Sequence, residues 1–333
     1  MDRVEHPFAQ YVRILGRGKN VGRSLTEEEA KAAMDMILAG EVRPEQLGAF
    51  LMLLRVKEET PAEVAGFVRS VRNHFDIPVV APKVDLDWSS YAGKRRQLPW
   101  FLLAALVLAQ SSVTVFMHGA EGHMPGRLYT RDTLEALGLP VALSFDEAAA
   151  QIRANNFAYL PLAAVSPKMH EIIELRPILG LRSPVHTISR MLNPFGAPHV
   201  LQGIFHPGYN AIHQGAGQLL GYERMAVFRG EGGEIERRPS KPLDVWTVVN
   251  GEMDRIEWPA LLPEPMQPTD EEMDIKRLVA VWRGDDDDRY ATAAITGTLA
   301  LALDLLGRAE NQADAQAQAE AIWSARNRER LAA

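Results

Sequence analysis

Hydrophobic spacing along the chain changes character near residue 78. Before that point apolar positions recur with the period of an amphipathic helix. Phe8, Tyr11, Val12, Ile14 and Leu15 share one face, and Gly16-Arg-Gly-Lys-Asn-Val-Gly22 interrupts it. Ser24-Leu-Thr-Glu-Glu-Glu29 starts the next helix: the Thr26 hydroxyl can accept from the Glu29 amide while the Glu29 carboxylate reaches back. Ala30, Ala33, Met34, Ile37 and Leu38 follow at helical spacing, and Gly40 ends the run. Pro44–Leu54 is a further amphipathic helix, and Thr60-Pro-Ala-Glu63 caps one that runs to about His74. Short polar links make residues 1–78 a compact helical bundle.

From Ile77 onward strands alternate with helices. Val84–Trp88 alternates apolar and acidic residues like a strand, and Ser89–Gln97 is polar and carries Lys94, Arg95 and Arg96. Leu98–Gln110 is an apolar helix with Pro99 as its opening residue, and Ser112–Met117 is β-branched and aromatic. Together they make a βαβ unit whose loop, at a helix N-terminus and beside three cations, favours an anion. The same reading gives helices over Thr130–Leu137, Asp146–Asn155, Lys168–Leu179, Thr269–Val281, Thr292–Leu306 and Asn311–Leu331, with a turn or helix within Ser183–Met191. Short strands fall at Val141–Leu143, Ala158–Leu162, Val200–Phe205, Arg224–Phe228 and Val245–Val249. The expected fold class is α/β: a small N-terminal helical bundle, completed by helices from about 167–192, beside a larger α/β domain over 79–333 with a central, mainly parallel sheet.

Composition narrows the chemistry. The chain has 333 residues and no cysteine, which excludes a disulfide scaffold, a thiolate metal site and a cysteine nucleophile. The first ten residues lack the apolar stretch of a signal peptide, and the longest apolar run, Trp100–Ala109, is too short to span a membrane. A soluble, cytoplasmic protein with no membrane partner is expected. Net charge is −7, which taken globally argues against a polyanion partner, but the charge is uneven. Arg13, Arg17, Lys19 and Arg23 cluster within eleven residues, whereas Asp285–Asp288 concentrates four negative charges in an exposed turn.

Two basic stretches are therefore candidate phosphate contacts. One is Arg13, Arg17, Lys19 and Arg23 around a flexible glycine-rich break; its plain alternative is a soluble interhelical loop. The other is Lys94, Arg95 and Arg96, with Trp88 and Tyr91 available to stack on bases. Those two rings could equally fill a cavity. Arg326, Arg328 and Arg330 complement a helix C-terminus more simply than they extend a basic face. His118, His123 and His186 could meet at one site, without the spacing of a metal motif such as HExxH. Glu231, Glu234 and Glu236 read as a solvated loop with little cation affinity. No GxSxG or Walker loop is present.

Several segments resemble the superfamily of anthranilate phosphoribosyltransferase and pyrimidine nucleoside phosphorylase. They are Leu25-Thr-Glu-Glu-Glu-Ala, Ala49-Phe-Leu-Met-Leu-Leu-Arg55, Glu63-Val-Ala-Gly, Asp132–Gly138, Arg176-Pro-Ile-Leu-Gly-Leu-Arg182 and Asn193-Pro194. The resemblance implies this fold and a homodimer joined through the helical domains. Its functional motifs are degraded here. The glycine-rich diphosphate loop GTGGD falls on Trp88, Ser89, Ser90, Tyr91 and Ala92, and NxST falls on Gln97–Trp100. KHGN falls on Met117, His118, Gly119 and Ala120, and of the Asp-Glu pair that would carry magnesium only Glu236 remains. Trp88, Ser90, Tyr91, His118, Gly119, Arg176 and His186 would thus line a vestigial ligand cleft.

Ile14–Asn20, Arg182–Thr187 and Gly230–Glu234 are similar to a divergent YbiB-type branch, which implies sequence-independent binding of DNA or RNA. The expectation is a non-catalytic, dimeric nucleic-acid binder without cofactor, its contacts made by Arg13, Arg17, Lys19, Arg23, Lys94, Arg95 and Arg96. The alternatives are an enzyme, a phosphoribosyl or related transferase with magnesium or a phosphorylase of altered substrate, and a purely structural interaction partner.

Overall fold

A computed structural model describes residues 4–331 except 123, 265, 267 and 271, and at Lys19 and Asn20 the backbone alone. Helices Ala9–Gly16, Gly18–Val21, Glu27–Leu38, Pro44–Lys57 and Pro61–Arg72 form the N-terminal bundle. Reciprocal caps open two of them, Thr26 with Glu29 and Thr60 with Glu63. Glu63 also accepts from the Leu25 amide at 2.8 Å, so one buried carboxylate ties two helix starts together.

The remainder builds a seven-stranded sheet. Its strands are β1 (Leu86–Ser90), β2 (Val115–Gly119), β3 (Phe157–Pro161), β4 (His199–Ile204), β5 (Arg224–Arg229), β6 (Leu243–Val249) and β7 (Glu252–Trp258), in the order β3-β2-β1-β4-β5-β6-β7. The first five are parallel and the last two antiparallel. Strand order reverses between β1 and β4, and such a switch point opens a crevice beyond the strand ends. One face of the sheet packs Trp88 and Met117 on the helix Trp100–Gln110, which is buried from Trp100 to Ala109 as its unbroken apolar run requires. The other face packs Phe116, Val200 and Val227 against the helical bundle and helices near 167–190.

Several boundaries differ from those expected. Val141–Leu143 is not a strand; only Ala142 donates a backbone hydrogen bond to the Tyr159 carbonyl. The helix expected over Lys168–Leu179 is two pieces, Pro167–Ile173 and Arg176–Leu179, because Pro177 has no amide to continue the ladder. Helix Lys276–Arg283 starts late and helix Gln312–Ser324 stops early. The acidic run is no simple exposed turn: Asp286 and Asp288 pair with Arg277, and Asp288 caps helix Arg289–Leu305. Pro99 lies just before the first helical residue, Trp100, instead of opening the helix.

Candidate functional site

Three loops meet at the switch point: 91–97 after β1, 205–209 after β4 and 230–236 after β5. Parallel strands deliver all three to the same edge of the sheet. The first loop turns its amides inward, where a carboxylate of this same chain meets them. Ala92 and Gly93 donate to Glu234 Oε1 at 2.7 and 2.6 Å. The Phe101 amide, in the first turn of helix Trp100–Gln110, donates to Glu236 Oε2 at 2.9 Å. Lys94 Nζ donates to the other oxygen of Glu236. Turn amides and a helix N-terminus are the groups that ordinarily seat a phosphate. Here two internal carboxylates hold them.

Burial controls the charge states. Glu234 and Glu236 are fully buried, so both acids are pushed up from the usual carboxylate range, against the pull of Arg190 on one and Lys94 on the other. This corrects the expected solvated acidic loop. Both oxygens of Glu236 accept from groups of this chain, Lys94 Nζ on one and the Phe101 amide on the other. Lys94 is only 2% exposed, so it cannot serve as the solvent-facing phosphate contact expected for it.

The expected ligand cleft is largely filled. Trp88 lies in the core on the helix side of the sheet, while Tyr91 is buried on the opposite side. Neither ring can stack on a base. Burial raises the pKa of the Tyr91 hydroxyl well above the ordinary value, and this group shares a 2.7 Å hydrogen bond with His118 Nδ1. His118 Nε2 lies 3.3 Å from Asp87 Oδ1. The Arg190 guanidinium sits 5.7 Å over the Tyr91 ring. Ser90 ends β1 opposite Gly119 and shares a 2.7 Å hydrogen bond with Thr130. Arg176 and His186 border separate cavities, of about 420 and 100 Å³, so the seven expected cleft residues do not share a site. His123 lies outside the described residues.

What remains open is basic. A cavity of about 360 Å³ is walled by Lys94, Arg95, Arg96, Arg127, Arg229 and Arg238, with Glu231 as the one carboxylate among its described lining residues. Arg229 and Arg238 continue into a neighbouring cavity of about 240 Å³ that adds Lys241. Arg127 is fixed by donating to the Ala92 and Gly93 carbonyls, both at 2.9 Å. Deeper in, Arg182 is pulled down to about 10 by burial and by Arg190, Arg127 and Arg176, a sign of concentrated positive potential. The cations of the bundle stand apart. Arg13 pairs with Glu5, Arg23 with Glu29 through two bonds of 2.6 and 2.7 Å, and neither they nor Arg17 wall these cavities. The side chain of Lys19 is outside the described set.

Sequence reading missed Arg127 because it stands alone in its segment, and Arg229, Arg238 and Lys241 because Glu231, Glu234 and Glu236 between them cancel the charge of the stretch. For Arg229 the available signal was its place at the end of a strand, just before Gly230-Glu-Gly-Gly233.

This architecture and site define a class. Residues 9–75 match the helical bundle domain of a glycosyl transferase family and residues 101–324 match its a/b domain. The chain belongs to that family, the one that includes anthranilate phosphoribosyltransferase. More particularly, it is 27% identical to the uncharacterized protein YbiB of Escherichia coli over 70% of this chain and 74% of YbiB. It is 32% identical to anthranilate phosphoribosyltransferase of Moorella thermoacetica over 69% of this chain and 68% of that enzyme. Among solved structures, anthranilate phosphoribosyltransferase from Thermus thermophilus superposes with a TM-score of 0.78 at 23% identity, covering 96% of this chain and 95% of that one. The Saccharomyces cerevisiae enzyme in complex with PRPP and Mg gives 0.79 at 17%, covering 97% and 95%. These two superpositions establish the fold.

Proposed function

We propose that this protein binds the phosphodiester backbone of nucleic acid in the groove walled by Arg95, Arg96, Arg127, Arg229, Arg238 and Lys241, and transfers no phosphoribosyl group. The observation that carries the reading is the capture of the Ala92, Gly93 and Phe101 amides by Glu234 and Glu236. A sugar diphosphate arriving there would meet two carboxylates where it needs donors. The cations that remain line an open groove, where they neutralise phosphates without reading bases. The same reading includes a homodimer joined through the helical bundle, a cytoplasmic location and no magnesium. No helix among the described residues is long and apolar enough to cross a membrane.

A second reading, a phosphoribosyl or related transferase, is favoured by the 32% identity to the Moorella enzyme. Two measurements separate them. Fluorescence anisotropy with labelled oligonucleotides should give binding that weakens steeply with salt, while phosphoribosyl diphosphate with magnesium should leave the melting temperature unmoved. Stabilisation by the diphosphate together with salt-indifferent oligonucleotide binding would reverse the choice.

A further inference from the structure

We infer that Phe205 is a base-stacking platform that makes the groove favour single-stranded over duplex nucleic acid; this rests on the nucleic-acid reading above. Phe205 immediately follows β4, so it stands at the switch point of the sheet. The residue is 50% exposed and belongs to neither hydrophobic core. It forms part of the wall of the 360 Å³ cavity, together with Arg95, Arg96, Arg127, Arg229 and Arg238, and also borders the deeper 100 Å³ cavity. Among the described residues no other aromatic side chain lines either of the two basic cavities.

The side chain is braced at its root by Gly233 and on one side of the ring by His206. Gly233 packs so closely that a Cβ there would sit 3.1 Å from that of Phe205, and the His206 ring meets it edge to face at 4.9 Å. A half-exposed aromatic residue, held in place and surrounded by guanidinium groups, suits an unstacked base whose phosphates lie on either side. In a duplex the base faces are already stacked on each other, so the ring finds no partner and only the cations contribute.

The test compares wild-type protein, Phe205→Ala and Phe205→Trp against three probes: a short single strand, a duplex of equal phosphate count, and inorganic polyphosphate. Wild type should prefer the single strand. Phe205→Ala should weaken single-strand binding about tenfold, the loss of one base–aromatic stack, and leave duplex and polyphosphate affinities unchanged. Phe205→Trp should keep the preference, and its added indole emission should be quenched by the single strand and not by polyphosphate. Equal single-strand affinity in wild type and Phe205→Ala would overturn the inference while leaving the groove reading intact. Parallel loss for all three probes would also overturn it, by making the ring a structural part of the groove. Failure of wild type to bind any probe would overturn both readings.

Discussion

At the scale of single residues, the central pair is Lys94 and Glu236, 2% and 0% exposed. Neither charge has solvent to fall back on, so removing one strands the other. Lys94→Met should therefore destabilise the fold by about 3–5 kcal/mol. Lys94→Met combined with Glu236→Gln should recover most of that loss, since glutamine still accepts from the Phe101 amide. Urea unfolding of the two singles and the double would show it; additive losses would mean the two side chains do not depend on each other. His213 gives a second expectation. Burial lowers its pKa to about 3, with help from Arg190, and its Nδ1 donates to Gln202 Oε1 at 2.5 Å. The unfolded chain protonates this imidazole near 6.5 and the folded chain does not, so stability falls as pH drops from about 6.5 towards 3. The slope from this one proton cannot exceed about 1.4 kcal/mol per pH unit. His213→Gln should flatten that part of the stability–pH curve, and an unchanged curve would show that another group sets it.

Among elements, the loop 230–236 decides whether the old anion seat is closed. Its approach to the sheet is possible only because Gly203 and Gly230 lack side chains: a Cβ would fall 2.3 and 1.6 Å from the Glu234 carbonyl oxygen. Gly230→Ala must push this backbone away and draw Glu234 off the Ala92 and Gly93 amides. The expected result is a loss of at least about 2 kcal/mol in thermal unfolding, with faster hydrogen exchange at amides 92 and 93. Protection equal to wild type would refute the closure. Elements with local signals were legible in the sequence. Thr26 and Thr60 cap the helices expected of them, because capping is settled within four residues. The apolar run before Gln110 likewise became a helix buried on every side. Strand β7 had no such signal: six of its seven residues are exposed and charges interrupt its alternation. The state of Lys94 was equally hidden, since its partner lies 142 positions away and a lysine beside two arginines reads as surface. Trp88 and Tyr91 were legible as rings that either stack on bases or fill a cavity. Both are core residues, it is Glu234 that meets the Ala92 and Gly93 amides, and which way each ring points depends on the sheet. Alternation along β1 and the residue just past it sends them to opposite faces.

For the whole molecule, the question is how a chain of net charge −7 could hold a polyanion. The fold answers by segregation. Acidic side chains at the bundle surface are spent locally: Glu5 on Arg13, Glu29 on Arg23, Glu27 on Arg69. Among the described residues, the cations brought together by the ends of β1 and β5 share the walls of the two cavities with two carboxylates, Glu231, 3.6 Å from Arg238, and Asp244, paired with Arg255 at 2.7 Å. Two basic regions that look alike in sequence are therefore unequal in space, and salt dependence should separate them. Each groove cation that displaces a counterion contributes about 0.7–0.9 to the slope of log affinity against log salt. Arg95→Ala, Arg96→Ala and Arg229→Ala should each lower the slope by that amount for any nucleic-acid sequence. Arg13→Ala and Arg23→Ala should leave it unchanged, because their partners Glu5 and Glu29 already neutralise them. The reverse pattern, with bundle variants flattening the slope and groove variants not, would move the nucleic acid to the helical domain and leave the crevice beyond β1 and β4 without a polyanion to hold.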